Sequence, residues 1–464
     1  MQYHGFLMKR YVFRRVIPYA AVLAVAFGVF SLISVLAVME GFKDEMRSRI
    51  RGSLSHISIL GPTGTDLIGS YDLIEELEKL EHVEAAAPFV VGQGIYRAMT
   101  KVTPCEIRGI DPVAEAEVGD FDRYLLRIEE IRELLEDETK MLTDERTPMS
   151  VEEIEQVFSR EHRDFLMSVY GAFRDDPGFT VPPQPIVVGI EVLRRNDTRI
   201  GDVIELQSFS PRTLDARNER FLVVGAFQTG VFEQDLGWMF VPIQAAVHFL
   251  DLFDEEVLGD RISGVSVRLD DFRHANEMRD EIRDELLPLL YGDFIARRPL
   301  VRTWEDQRRN LLRAVDVEKR IISVMMMLIV LFAGVMIFLI LTLMVIEKTR
   351  DLGVLRSLGA TRGGVISLFL RQGVTLTLIG LVLGSIGGVI LVQNLNPIHD
   401  AIHDLTGFQL FDPTIYYLSR IPAKMRFADW GTVLVPAFVF GFLGSLIPAI
   451  WASRQDPIKA LHHE

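Results

Sequence analysis

At 464 residues the chain has room for more than one domain, and its net charge of −15 gives no basic surface for nucleic acid. One cysteine, Cys105, excludes an intrachain disulfide framework. Apolar residues make up 49% beside 24% charged ones, so the apolar residues must be gathered in blocks.

Four blocks stand out: Val16 to Met39, Ile321 to Ile346, Val374 to Val392 and Thr432 to Ala452. Each approaches or exceeds the roughly 20 residues a helix needs to cross the hydrocarbon core, and none holds Asp, Glu, Lys, Arg or His. The expected fold is an α-helical membrane protein with four transmembrane helices plus a large extracytoplasmic α+β domain between spans one and two. The first block is read as a retained anchor, because its run is too long for a signal peptide and no small-x-small site follows. Lys9, Arg10, Arg14 and Arg15 before span one place segment 1–15 in the cytoplasm. Lys348, Arg350, Arg356, Arg362 and Arg371 do the same for the link at 347–372, and Arg454 and Lys459 for the tail at 453–464. Arg308, Arg309, Arg313, Lys319 and Arg320 fall on the outer side, but they end a long segment, which translocates largely regardless of charge.

The outer domain spans 40–320. Phe42, Met46 and Ile50 continue span one as an amphipathic stalk, and Trp304, Leu311, Leu312 and Val315 predict a second stalk before span two. Between them, HISIL, DLIEELEKLE and VEAAAPFVV predict strand, helix and strand, as do SGVSVRLDD, HANEMRDEIRDELLPLL and YGDFIARRPL. The two passages are expected to form two halves of one domain, with a β-rich insertion domain between them.

Residues 111–180 hold twenty Asp and Glu against eight Arg and Lys. Two helices are expected in this acidic insertion. Tyr124, Ile128, Ile131 and Leu135 mark the first, and a capping box at Ser150 and Glu153 opens the second. The acidic face itself is what a solvated surface requires.

Signatures of catalysis are missing. The sequence has no GxxxxGK[ST], HExxH or GxSxG, so no ATP hydrolysis, metal or cofactor is expected of this chain. His399 and His403 in HDAIH lack a third ligand and read as part of a polar helix in the outer loop 393–431. Uncharged spans argue against an ion-coupled carrier, which needs ionisable groups inside its bundle. Within span three, 373–392, Gly380, Gly384 and Gly388 form a close-packing face, within the chain or against a partner.

The stretch EKTRDLGVLRSLGAT, residues 347–361, places Leu352, Leu355 and Leu358 at three-residue spacing among Lys348, Arg350, Asp351 and Arg356. Gly359 suits a helix C-cap and Thr361 the next N-cap. An amphipathic helix lying on lipid is one reading of this pattern. The stretch also resembles the signature of ABC-transporter permeases of the FtsX/MacB superfamily. VMEGFKDEMRSRI, SHISI, GDVIELQS, VVGAFQTGVFEQD, FVPIQAA, LFLRQG and PAIWASRQDPIKAL resemble, more narrowly, the lipoprotein-releasing LolC/LolE type.

That resemblance implies a non-catalytic subunit that releases lipoproteins from the outer leaflet of the bacterial inner membrane to a periplasmic carrier. ATP and Mg would be bound by a partner ATPase, and a second permease, identical or related, would complete the assembly. Glu347, Arg350, Leu352, Leu355, Arg356 and Leu358 are implied to couple to the ATPase. Phe30, Val38, Met39 and Phe42 are implied to line the cleft for acyl chains. A MacB-type efflux permease and an FtsX-like scaffold activating a cell-wall hydrolase are the alternatives. Residues 111–180 depart from the family pattern.

Overall fold

The computed structural model describes residues 17–53, 55–62, 67, 70–97, 102–136, 146–170, 182–196, 198–210, 215–254, 259–291, 299–357, 359–406 and 420–454. Lys9, Arg10, Arg14, Arg15, Leu358 and Lys459 lie outside them. In chain order the helices are α1 (Ile17–Ser53), α2 (Ser70–Leu77), α3 (Pro112–Val118), α4 (Phe121–Tyr124), α5 (Ile128–Glu136), α6 (Val151–Phe158), α7 (Arg160–Tyr170), α8 (Ile190–Arg195), α9 (Phe232–Gly237), α10 (Ile243–Phe249), α11 (Ala275–Glu281), α12 (Leu287–Tyr291), α13 (Trp304–Gln307), α14 (Arg309–Glu347), α15 (Thr349–Ser357), α16 (Arg362–Gln393), α17 (Leu395–Thr406) and α18 (Phe427–Arg454). The strands are β1 (Ile57–Leu60), β2 (Val83–Arg97), β3 (Val102–Ile110), β4 (Gln184–Gly189), β5 (Val203–Phe209), β6 (Ala216–Phe227), β7 (Trp238–Pro242), β8 (Phe253–Asp254), β9 (Gly259–Asp260), β10 (Gly264–Leu269) and β11 (Leu300–Thr303). The chain divides into two compact units, one containing most of α1 and α14 with α15 to α18, the other containing the sheet.

In the helical unit, stretches of α1, α14, α16 and α18 are each long and apolar enough to cross a membrane. A helix satisfies its backbone internally, so apolar side chains can cover its whole circumference in lipid. Val29, Ile337, Leu341, Leu376 and Val433 are buried where helices meet, whereas Leu23, Phe27, Phe332, Val382 and Val435 point outward. The glycine face of α16 packs inside the chain. A Cβ on Gly384 would stand 2.5 Å from the Ala26 carbonyl oxygen, and one on Gly380 or Gly388 would press on Val25 or Ile33 of α1. Small residues let backbones approach where no hydrophobic force separates helix from lipid.

In the other unit, one nine-stranded sheet runs β11-β1-β10-β2-β3-β7-β4-β6-β5, and β5 pairs again with β2. The expected separate β-rich domain is therefore corrected. β2 is fifteen residues long and serves both regions: Val83–Phe89 pairs with β10, and Gly94–Arg97 pairs with β5. The second region thereby closes on itself through β2, which removes its open edges.

The acidic passage carries five short helices, α3 to α7, among its described residues rather than two. The predicted first helix breaks between Tyr124 and Ile128, because Leu126 donates its N–H to Ala226 and Leu125 bridges to Phe227. The capping box at Ser150 and Glu153 is present as expected. Arg127 binds Glu153 at 2.9 Å and Arg146 binds Glu130 at 2.6 Å, tying these helices together. The second predicted stalk is likewise interrupted: Arg308 leaves the helical path between α13 and α14, and Trp304 is buried.

Candidate functional site

Two ends of the helical unit carry the residues singled out by sequence. At one end α14 passes into α15 with scarcely a break, since Lys348 donates to the Met344 and Val345 carbonyls and Leu352 to that of Lys348. Leu352 is 3% exposed and packs with Val345, Val365, Phe369, Ala449 and Ala452, which belong to α14, α16 and α18. Leu352 therefore faces inward, because an apolar side chain is more stable in this junction than in water. Val354 points outward, 43% exposed, beside exposed Asp351 and half-buried Arg356. Sequence reasoning missed it because its spacing does not match the leucines. Lys348 pairs with Asp351 at 2.8 Å, and Glu347 is exposed. Arg350 and Leu355 lie on α15. Gly359, at φ +95°, lets the chain reverse, and the Thr361 hydroxyl accepts the Gly364 N–H to start α16.

The opposite end holds a charge cluster that hydropathy alone did not mark. Glu40 is 1% exposed yet ionisable, and Lys319 of α14 reaches it at 2.5 Å while Arg426 contacts its other oxygen. Lys43 pairs with Asp316 at 2.5 Å, and Lys424 pairs with Asp44. The Lys424 N–H donates to the Ala37 carbonyl, and Gly41 admits the Pro422–Ala423 backbone where any Cβ would clash. Buried charges persist only when paired, so this arrangement locks α1, α14 and the approach to α18 together. Each charge lies just outside an apolar block, and that position was the available signal.

Val38, Met39 and Phe42 lie half-buried beside this lock. Phe30 is more than two turns away, with its ring 3.4 Å from where a Gly387 Cβ would stand on α16. The cavity against Ile33, Leu36, Trp430 and Val433 has about 10 Å³, room for no more than one water.

The sheet unit contains a larger, polar cavity of about 310 Å³ bordered by Ser58, Ser263, Ser266, Glu115, Arg108 and Trp238. The Arg108 guanidinium lies 4.2 Å from the Trp238 ring centroid, and burial raises the Glu115 pKa. These linings suit polar groups rather than acyl chains. In the QTGVFEQD motif, the Asp235 carboxylate accepts from Thr229 N at 2.7 Å, Thr229 Oγ1 at 2.8 Å and Gly230 N at 3.2 Å. Burial nevertheless pushes its pKa up to about 7. This motif is a structural latch. Cys105 is also inert, buried with its thiol pushed up to about 12. His399 pairs with Asp400 on α17, and no third metal ligand joins His399 and His403 among the described residues.

Comparison with known proteins adds two family matches. Residues 20–134 match the MacB-like periplasmic core domain, and residues 323–457 match the FtsX-like permease C-terminal family. The lipoprotein-releasing system transmembrane protein LolC of Xylella fastidiosa is 26% identical over 460 residues, covering 98% of this chain and 96% of the relative. LolC of Neisseria meningitidis serogroup B is 25% identical over 463 residues, with coverages of 98% and 96%. The lipoprotein-releasing system transmembrane protein LolE of Haemophilus influenzae is 22% identical over 446 residues, with coverages of 95% and 92%.

Proposed function

Because this chain belongs to the FtsX/MacB superfamily of ABC-transporter permeases, of the lipoprotein-releasing LolC/LolE type, we propose that it releases lipoproteins from the bacterial inner membrane. Its ATPase is a separate chain that binds ATP and Mg on the cytoplasmic side, where both termini lie. The sheet unit is periplasmic. A second permease subunit, identical or related, completes the cargo path, and a periplasmic carrier receives the lipoprotein.

The observation that carries this reading is the position of α15. Leu352 fixes it to the ends of three membrane helices, while Val354 and the charged side face outward. A push on α15 by an ATPase is thereby delivered to α14, α16 and α18 together. At the other end, Glu40 and its two cations join α1 to α14 and the approach to α18. The motion then alters packing around Val38, Met39 and Phe42, which face acyl chains at the interface with the second permease. Uncharged spans suit a lipid cargo.

The experiment is ATP-dependent transfer of a labelled lipoprotein from vesicles holding the assembled transporter to a soluble carrier. Met39→Asp should block transfer, because a carboxylate placed against acyl chains costs several kcal/mol. Transfer at the wild-type rate by a Met39→Asp protein that assembles normally would contradict the proposed cargo path.

A further inference from the structure

The sheet unit carries a side-chain cluster that plays no part in coupling or cargo release: His82, Asp270 and His274. We propose that these three residues form a binding site for a divalent transition-metal ion of the zinc class. One ligand atom from each lies within 4.8 Å of the others.

The backbone builds this cluster from two distant turns. His82 ends the turn from α2 into β2 with φ +73°, a left-handed conformation uncommon outside glycine. Its carbonyl accepts the N–H of Asp270 at 3.0 Å, fastening that turn to the end of β10. Asp271 then accepts the Arg273 N–H at 2.9 Å and forms a short 3₁₀ turn, which returns His274 beside Asp270. The two imidazole rings lie close and tilted, with centroids 4.1 Å apart and planes 33° from parallel. Asp270 lies between their Nδ1 atoms, with one oxygen 2.8 Å from His82 and the other 3.2 Å from His274.

Chemistry favours a metal in this geometry. Two imidazolium rings with centroids 4.1 Å apart repel one another, and one carboxylate cannot neutralise both. A divalent ion takes two neutral imidazoles and the carboxylate together. Ligand atoms at zinc's usual 2.0–2.1 Å are separated by roughly 3.3 Å in a tetrahedron, so atoms already within 4.8 Å of one another need only a small adjustment of the side chains to close on an ion. All three side chains remain partly exposed, leaving a coordination position for water. Imidazole donors select zinc, cobalt, nickel or copper over magnesium and calcium. A bound ion would clip the first β-α-β passage to the second and hold the ends of β2 and β10 in register.

The test uses the full chain in detergent, purified without a polyhistidine tag and stripped with a chelator. His462→Ala and His463→Ala are included throughout to remove the tail's paired histidines. Cobalt titration should give one equivalent with visible d–d absorption, discharged by zinc, and zinc should raise the melting temperature. His82→Asn, chosen because Asn accepts the left-handed backbone, and Asp270→Asn should each weaken binding by more than about tenfold. Their melting temperatures in chelator should stay near that of the parent protein, which separates ligand loss from unfolding. His399→Gln with His403→Gln should leave the signal intact. No cobalt signal from the parent protein, or an undiminished signal from His82→Asn and Asp270→Asn, overturns the proposal.

Discussion

Lys319 of α14 holds its ammonium 2.5 Å from a carboxylate oxygen of Glu40 on α1, and Glu40 is 1% exposed. The pair joins residues 279 positions apart at the end of the helical unit opposite α15. Arg426 occupies the other carboxylate oxygen, so the acid is neutralised from two directions. Any rearrangement of α1 against α14 must break or carry this contact with it.

Lys319→Met should therefore lower thermal stability. The loss should fall below the ~3–5 kcal/mol of a broken buried pair, because Arg426 still faces Glu40. Adding Glu40→Leu should restore part of it, since no buried charge is then left waiting for a partner. Melting curves in detergent decide the matter: a Lys319→Met protein as stable as the wild type would show the contact to be incidental.

Gly384→Leu should separate α1 from α16. The first added carbon would already lie 2.5 Å from the Ala26 carbonyl oxygen, and that backbone cannot yield as a side-chain tip can. Overpacking of this kind costs about 1–3 kcal/mol. Gly363→Ala is the control, because a Cβ there meets nothing within 4 Å. Equal melting temperatures for the two variants would exclude the packing role of Gly384.

How much of this was legible beforehand differs by region. The four apolar runs and the Ser150–Glu153 cap were readable because hydropathy and capping depend on neighbours in sequence. The closed sheet was not, because nothing local in VEAAAPFVVGQGIYR reveals that one strand pairs with β10 at its start and β5 at its end. Leu352 was recognised as apolar, but its inward face was not legible, since helical spacing groups residues without saying which group turns inward. Glu40, Lys319 and Arg426 were passed over as ordinary flanking charges. Their meeting depends on three helices packing, and no spacing rule connects residues that far apart.

Asp235 supplies a pH dependence with a definite sign. Its pKa is raised from 3.8 to about 7 by burial, so the folded state prefers the protonated acid. This group's contribution to stability is present below about pH 4 and is lost as pH rises towards 7. Wild-type stability measured relative to Asp235→Asn should accordingly decline across that window. A difference that is flat or grows with pH would show that the Thr229 and Gly230 donors hold the carboxylate ionised.

The coupling role proposed for α15 is tested most directly by co-purification of the proposed partner ATPase with single variants of its two faces. Val354 is outward and 43% exposed, and burying a valine in a protein groove stabilises a complex by about 1.5–3 kcal/mol. Val354→Asp forfeits that contact and introduces a charge into the groove. It should lose the ATPase while keeping the wild-type melting temperature and membrane insertion. Leu352→Ala should instead lower the melting temperature, since Leu352 packs against Phe369 and Ala449 within the chain. A well-folded Val354→Asp protein that retains the ATPase at wild-type stoichiometry would contradict the account.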